Sequence, residues 1–163
     1  MKKLIGTTIC TFLIILILSC EKDDFCILTP VTPNLVIRFH DVDDEDETKE
    51  VDSLYVWAEG MDSIYNYTTS SVGIDSIALP LNTLSENTVY HLAQGTSLLD
   101  TFTISYTTEE EYVSRSCGFR VIFNNIELDN NTEGNEDSWI SSFTPNTLTT
   151  INEQESAHVK IYH

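Results

Sequence analysis

The chain has 163 residues, of which 26 are acidic and 8 are basic, and its formal net charge at pH 7 is −18. Nucleic acids and anionic lipid surfaces are bound through clusters of Lys and Arg. The charge balance therefore argues against a nucleic-acid partner and against an anionic lipid surface, and it is compatible with cations or basic partners.

The N-terminus has the plan of a secretory signal peptide. Lys2 and Lys3 precede an uncharged, Leu- and Ile-rich run from Leu4 to Leu18. This run is shorter than the roughly 20 apolar residues that a membrane-spanning helix needs, and a short apolar run after a basic start is typical of a signal peptide. We predict a lipoprotein signal peptide over residues 1–19. The alternative is an uncleaved signal anchor in which Cys20 is a free thiol.

The segment Ile17-Leu18-Ser19-Cys20 resembles a bacterial lipobox, with Ile17 where the usual pattern has Leu. The resemblance implies cleavage before Cys20, diacylation of its sulfur by palmitate-like chains, and acylation of the new amine. Each buried CH₂ of such a chain contributes about 0.8 kcal/mol, so two or three chains would anchor the protein to a membrane.

An acidic tether is predicted over residues 20–33. Its first residues, "CEKDD", resemble the signal with which Bacteroidetes-type bacteria export lipoproteins to the outside of the outer membrane. The resemblance implies a cell-envelope location, as an outer-membrane lipoprotein exposed on the surface. The alternative interpretation is a solvated acidic spacer.

A second acidic group, "DVDDEDE", begins at Asp41. Carboxylates are the ligands that Ca²⁺ prefers, but an EF-hand loop requires Gly at its sixth position and Glu at its twelfth. Those positions hold Asp46 and Asp52, so we predict no metal site and no cofactor. The favoured interpretation is a polar loop between strands. Weak candidates for a different calcium site are Asp41, Asp43, Asp44 and Asp46.

Two of the four cysteines remain for thiol chemistry once one leaves with the signal peptide and Cys20 is acylated. An exported chain with an even remainder predicts a single disulfide, between Cys26 and Cys117. The alternative is a reactive thiol at Cys117, since Arg115 and Arg120 lie close by in sequence.

Alternating apolar and polar residues predict β-strands throughout the body, residues 34–163. We predict an all-β, antiparallel two-sheet sandwich, Ig-like or similar, with seven to nine strands; a small closed β-barrel is the alternative. Turn-rich stretches such as "TTEEE" (107–111) separate the strands. The strand signals are "LVIRFH" (35–40), "SLYVWA" (53–58), "DSIALPL" (75–81), "TFTISYT" (101–107), "VSRSCGFRVIF" (113–123, with Cys117 facing inward) and "AHVKIYH" (157–163).

Several of these segments together resemble a family of uncharacterised Bacteroidetes lipoproteins that is defined only as a domain of unknown function. They are "DFC…TPNLVIRF", "LYVWAEG" and "YVSRSCGF…IFNN", in this order behind the lipobox, and "VSRSCGF" is the most specific. The resemblance implies a lipid-anchored β domain and no particular activity.

The sequence has no zinc-ligand spacing, nucleophile elbow or nucleotide-binding glycine pattern, so we predict no catalytic residues and no enzyme. Tyr55 and Trp57 fall on the strand face opposite Leu54 and Val56. They are core residues if both faces are buried, which is the favoured interpretation, and otherwise form a surface for sugars or proteins. We expect a non-catalytic binding or envelope-assembly component, held by its lipid anchor, with another envelope protein as partner. The alternative is a carbohydrate- or calcium-binding surface module.

Overall fold

The computed structural model of the chain describes residues 32–61, 65–66, 73–95, 98–115, 117–131 and 138–163. These residues form ten β-strands and no helix. The strands are β1 (Leu35–His40), β2 (Leu54–Ala58), β3 (Tyr65–Asn66), β4 (Ser76–Leu79), β5 (Asn87–Gln94), β6 (Leu98–Ser114), β7 (Gly118–Asn130), β8 (Ser142–Thr144), β9 (Thr147–Ile151) and β10 (Val159–Tyr162).

The strands lie in two open sheets, one of four strands in the order β4-β1-β10-β8 and one of six in the order β3-β2-β5-β6-β7-β9. Every pairing is antiparallel except that of β1 with β10. The predicted all-β sandwich is therefore confirmed, and the closed-barrel alternative is wrong. The described residues hold more strands than the predicted seven to nine, because β3 and β8 are too short to show a period of two.

The core lies between the two sheets, and the alternation in the sequence predicts its lining correctly. In β1, for example, Leu35, Ile37 and Phe39 are buried while Arg38 is exposed. Each fully buried Leu, Ile or Phe side chain contributes about 1.5–3 kcal/mol relative to exposure. The remaining large side chains that are fully buried are Val51, Leu54, Leu79, Leu92, Phe102, Ile104, Phe123, Ile126, Ile151 and Ile161.

The segment "VSRSCGFRVIF" is not one strand, as the sequence predicted, but the end of a long hairpin. Strand β6 ends at Ser114 and β7 begins at Gly118, whose φ of 70° is accessible to glycine without strain. The N–H of Cys117 donates to Oγ of Ser114 across the turn, at 3.1 Å. Cys117 therefore lies in a turn, and its predicted place as an inward strand residue is wrong. The acidic stretch 107–111 is part of β6 and not a turn.

The far end of this hairpin extends beyond the strands on either side of it. Strand β5 pairs with β6 only up to Ser105, and β9 pairs with β7 only from Phe123 onward. Between those limits, β6 and β7 pair only with each other in the described ladders. The end of the hairpin thus projects from the sheet as a two-stranded arm.

A buried carboxylate ties the six-stranded sheet to the chain that crosses to the other sheet. Asp100, on β6, is 0% exposed. Its Oδ2 accepts the backbone N–H groups of Trp139 and Ile140, at 3.0 and 3.2 Å. Its Oδ1 accepts the hydroxyl of Ser138 at 2.6 Å and the amide of Asn130 at 3.4 Å. Four donors satisfy the carboxylate, and they fix the segment that leads into β8.

Replacing Asp100 by Ala is expected to lower the free energy of unfolding by at least about 3 kcal/mol, because several buried donors lose their acceptor at once. Urea unfolding of the purified protein measures the loss. The matched control is Asp129→Ala, at an exposed position of β7, which is expected to cost less than about 0.5 kcal/mol. Equal small losses in both variants would contradict the structural role of Asp100.

His158 begins the pairing between the first and the last strand. Its backbone N–H donates to the carbonyl of Val36 at 2.8 Å, and its ring Nδ1 accepts the N–H of Val36 at 2.9 Å. The ring nitrogen accepts only while it carries no proton. Burial lowers the pKa of His158, although the nearby Glu153 acts in the opposite direction.

The lowered pKa of His158 makes the stability of the fold depend on pH in a known direction. The unfolded chain takes up a proton near the ordinary pKa of 6.5 while the folded chain resists it, so the stabilisation is present above that pH and is lost as the pH falls below it. His158→Asn keeps an acceptor but does not titrate. Wild type is expected to lose stability relative to this variant between pH 7.5 and pH 5 in parallel urea titrations. A difference that stays constant would contradict this.

Candidate functional site

The outer face of the six-stranded sheet carries a row of ring and hydroxyl side chains across three neighbouring strands. Trp57 on β2 pairs with His91 on β5, which pairs in turn with Thr101 on β6. The rings of Trp57 and His91 stack with their centroids 5.1 Å apart and an interplanar angle of 26°. Nδ1 of His91 lies 3.0 Å from Oγ1 of Thr101. With Tyr55, these residues are called the aromatic row.

The aromatic row faces outward because β2 alternates strictly. Leu54 and Val56 are buried in the core, whereas Tyr55 and Trp57 are partly exposed on the opposite face. The interpretation of the two aromatic residues as core is therefore wrong, and the alternative that places them on the surface is right. Sequence reasoning missed His91, because its position beside Trp57 depends on the register between strands, for which one sequence has no signal.

Amide and hydroxyl groups border the aromatic row on the side of β7. The backbone N–H of Asn131 donates to the carbonyl of Thr101 at 2.9 Å, and its side-chain amide donates to Oγ1 of Thr103 at 2.8 Å. Aromatic rings offer contact area at low entropic cost, and neighbouring hydroxyls and amides offer hydrogen bonds. A surface of this kind suits binding to a protein or a sugar.

A groove of about 470 Å³ opens at one end of the sandwich, below the connection from β4 to β5. Its lining includes Met61, Thr88 and Tyr90. The hydroxyl of Tyr90 donates to the carbonyl of Pro80 at 2.5 Å, and that of Tyr106 donates to the carbonyl of Asn82 at 2.8 Å. These two hydroxyl groups hold the β4–β5 connection in place. The polar groups beside the groove are therefore engaged mainly in contacts that stabilise the fold.

The acidic loop after β1 is exposed, and the carboxylate of Asp41 makes its contacts within the loop. The carboxylate of Asp41 accepts the N–H of Asp43 at 2.8 Å and forms an ion pair of 3.3 Å with Lys49. The hydrogen bond from Asp43 is the main cause that lowers the pKa of Asp41. Asp44 accepts the N–H of Glu47 through its backbone carbonyl. In the part of the chain that the structure describes, no three His, Cys, Asp or Glu side chains are grouped to hold a metal.

The structure locates one of the three cysteines that the sequence singled out. Cys117 lies in the turn of the β6–β7 hairpin, while Cys20 and Cys26 lie outside the described residues. The pairing of Cys26 with Cys117 stays a prediction. The neighbouring Arg120 is engaged with Glu111, with Nη2 and Nε each 2.6 Å from the same carboxylate oxygen.

A protein-family comparison matches residues 53–163, about two thirds of the chain, to DUF6452, a family of unknown function. The chain belongs to this family. The match begins after β1, although β1 is central to the four-stranded sheet. Neither a curated protein nor a solved structure matches the chain. Over the residues that the structure describes, no helix is long and apolar enough to span a membrane.

Proposed function

We propose that the protein is a lipid-anchored component of a bacterial cell envelope, an outer-membrane lipoprotein of the Bacteroidetes type. Its β-sandwich would act as a non-catalytic module that binds another envelope protein. The anchor rests on the lipobox-like segment ending at Cys20 and on the acidic "CEKDD" that follows it. The family to which the chain belongs carries no known activity.

The aromatic row is the observation that carries the binding part of the proposal. It combines two stacked rings with a hydroxyl on one continuous sheet face. Binding surfaces of proteins are enriched in Tyr and Trp near their centre. The chain is strongly acidic, so a partner with a basic rim is favoured.

A carbohydrate ligand is the second candidate, because the partly exposed Trp57 stacks on His91, which in turn lies next to the hydroxyl of Thr101 on the same sheet face. Ring faces next to hydrogen-bonding groups also fit a sugar. A calcium ligand has weaker support, because Asp41 already binds Lys49 and its own loop.

The proposed disulfide is within reach of the chain. Oγ1 of Thr32, the first described residue, accepts the N–H of Val121 at 3.3 Å, so the chain at residue 32 lies against β7. Six residues separate Thr32 from Cys26 and span at most about 22 Å. Val121 is four residues from Cys117, about 13 Å along a strand. The loop closed by the bridge would contribute about 4–5 kcal/mol in the chain-entropy view.

Intact mass measurement of the protein purified from membranes of a Bacteroidetes host tests the anchor. We expect a chain that begins at Cys20, carries acyl groups, and is two hydrogen atoms lighter than its reduced form because of the disulfide. Cys20→Ala is expected to incorporate no labelled fatty acid, while Cys10→Ala, within the signal peptide, is expected to be labelled like wild type. Labelling of Cys20→Ala would refute the lipobox assignment.

Crosslinking in intact envelopes tests the aromatic row. The double variant Trp57→Ala and His91→Ala is expected to lose a crosslinked partner that wild type and Leu84→Ala retain, because Leu84 is 95% exposed in a distant loop. Equal thermal unfolding temperatures of the three proteins are the control for folding. Retention of the partner by the double variant would exclude this face. A wild-type melting temperature raised by glycans and not in the double variant would favour the sugar ligand.

A further inference from the structure

The arm formed by the ends of β6 and β7 carries exposed aromatic side chains at its far end. Tyr112 and Phe119 lie opposite each other in the ladder and are 57% and 62% exposed. Their rings meet edge to face with centroids 5.5 Å apart. Val113 beside them is exposed too. Residues 112–115 and 117–120 are called the hairpin tip.

The two rings continue the inward face of the sheet beyond the point where the core ends. Along β7, Phe123 is fully buried, Val121 packs partly against the core, and Phe119 lies beyond it in the open. Large apolar side chains grouped on a projecting element mark a site of contact with a protein or a membrane. The hairpin tip is therefore a surface that something else covers.

The charge of the hairpin tip differs from that of the rest of the chain. Its sequence, "YVSRSCGFR", holds Arg115 and Arg120 and no acidic residue, in a chain with 26 acids. Arg115 is exposed. The acidic body is repelled by phosphate-bearing surfaces, whereas the hairpin tip is not. Arg120 is already paired with Glu111 just outside the tip, so the attraction of the tip to an anionic surface rests on Arg115, while the acidic body is repelled from such a surface.

The length of chain between Cys20 and Thr32 limits how far the membrane can lie from this tip. Thr32 contacts β7 at Val121, at the base of the arm. Twelve residues separate Thr32 from Cys20 and reach at most about 43 Å. With the disulfide at Cys117, only six residues separate the acylated cysteine from the tip itself, at most about 22 Å. With the proposed lipidation and the proposed disulfide both in place, the hairpin tip is held within about 22 Å of the anchor.

We propose that the hairpin tip inserts its aromatic side chains into the lipid headgroup region of the membrane that holds the anchor. This inference rests on the proposed lipidation of Cys20. Tyr112 and Phe119 would lie at the boundary between headgroups and acyl chains, where amphipathic rings are favoured. Arg115 would contact lipid phosphates. The contact fixes the orientation of the sandwich. The arm points toward the bilayer, and the aromatic row lies away from it.

Quenching of tryptophan fluorescence by brominated lipids tests the contact in the full mature lipoprotein. The protein is reconstituted in vesicles of phosphatidylethanolamine and phosphatidylglycerol, after mass measurement confirms the acyl chains. Phe119→Trp and Tyr112→Trp each place a reporter at the hairpin tip. The matched control is Leu99→Trp, which lies on the same strand about 40 Å away. Wild type, with Trp57 and Trp139, gives the background.

The emission added at residues 112 and 119 is expected to shift to shorter wavelength in vesicles and to be lost when the lipids are brominated near the headgroup. The emission added at residue 99 is expected to be unchanged. Arg115→Glu is expected to reduce the quenching at residue 119, and Lys160→Glu, on the exposed side of β10, is expected to leave it unchanged. Circular dichroism confirms the fold of each variant.

Four results would overturn the proposal. Absence of quenching at both tip positions in acylated protein refutes the membrane contact and leaves the anchor intact. Equal quenching at residues 99 and 119 would show that the body lies along the membrane over the length of β6, and that the contact is not confined to the hairpin tip. An emission shift that depends on protein concentration in detergent, without vesicles, would show that the hairpin tip contacts a second copy of the chain. Absence of acyl chains in the mass measurement refutes the anchor, and the membrane contact with it.

Discussion

One buried carboxylate, that of Asp100, ties the six-stranded sheet to the segment that leads into the opposite sheet. Asp100 accepts hydrogen bonds from four neutral donors, which replace the water that it loses on folding. A buried polar group is tolerated only when it is satisfied in this way. The same contacts position Trp139, whose ring N–H donates to the carbonyl of Leu92 and whose ring packs near Phe39 of the opposite sheet. A polar contact therefore fixes the position of Trp139 at the edge of the core.

Sequence patterns predicted the fold class and most strand faces, and their failures have physical causes. Alternation in "LVIRFH" is informative because one face of β1 is buried and Arg38 faces water. The same alternation ran on from Val113 to Phe123 across the hairpin turn, because only Gly118 marked the turn in the sequence. Asp100 was missed because nothing in one sequence distinguishes a buried acid from an exposed one. The partnership of Trp57 with His91 depends on pairing across 34 residues.

Two regions of the surface differ in chemistry, the aromatic row and the hairpin tip. Their relative positions determine how the proposed function would work. The aromatic row spans β2, β5 and the first half of β6. The hairpin tip lies at the far end of β6, beyond the last residue that β5 covers. One long strand thus connects the proposed partner surface to the proposed membrane contact. Because β6 is continuous, the distance between the two surfaces is set by its length and not by a flexible linker.

The parallel pairing of β1 with β10 has a mechanical consequence. The N-terminal end of β1 and the C-terminal end of β10 lie at opposite ends of the pair, with Ile37 opposite Val159 and His40 opposite Tyr162. A pull between the N-terminal tether and residue 163 slides the two strands past each other. The evenly spaced hydrogen bonds of a parallel ladder then share the load instead of breaking one after another. Resistance to such force depends on the rate of unfolding and not on the equilibrium stability, so this strand pair bears on how the anchored body withstands traction.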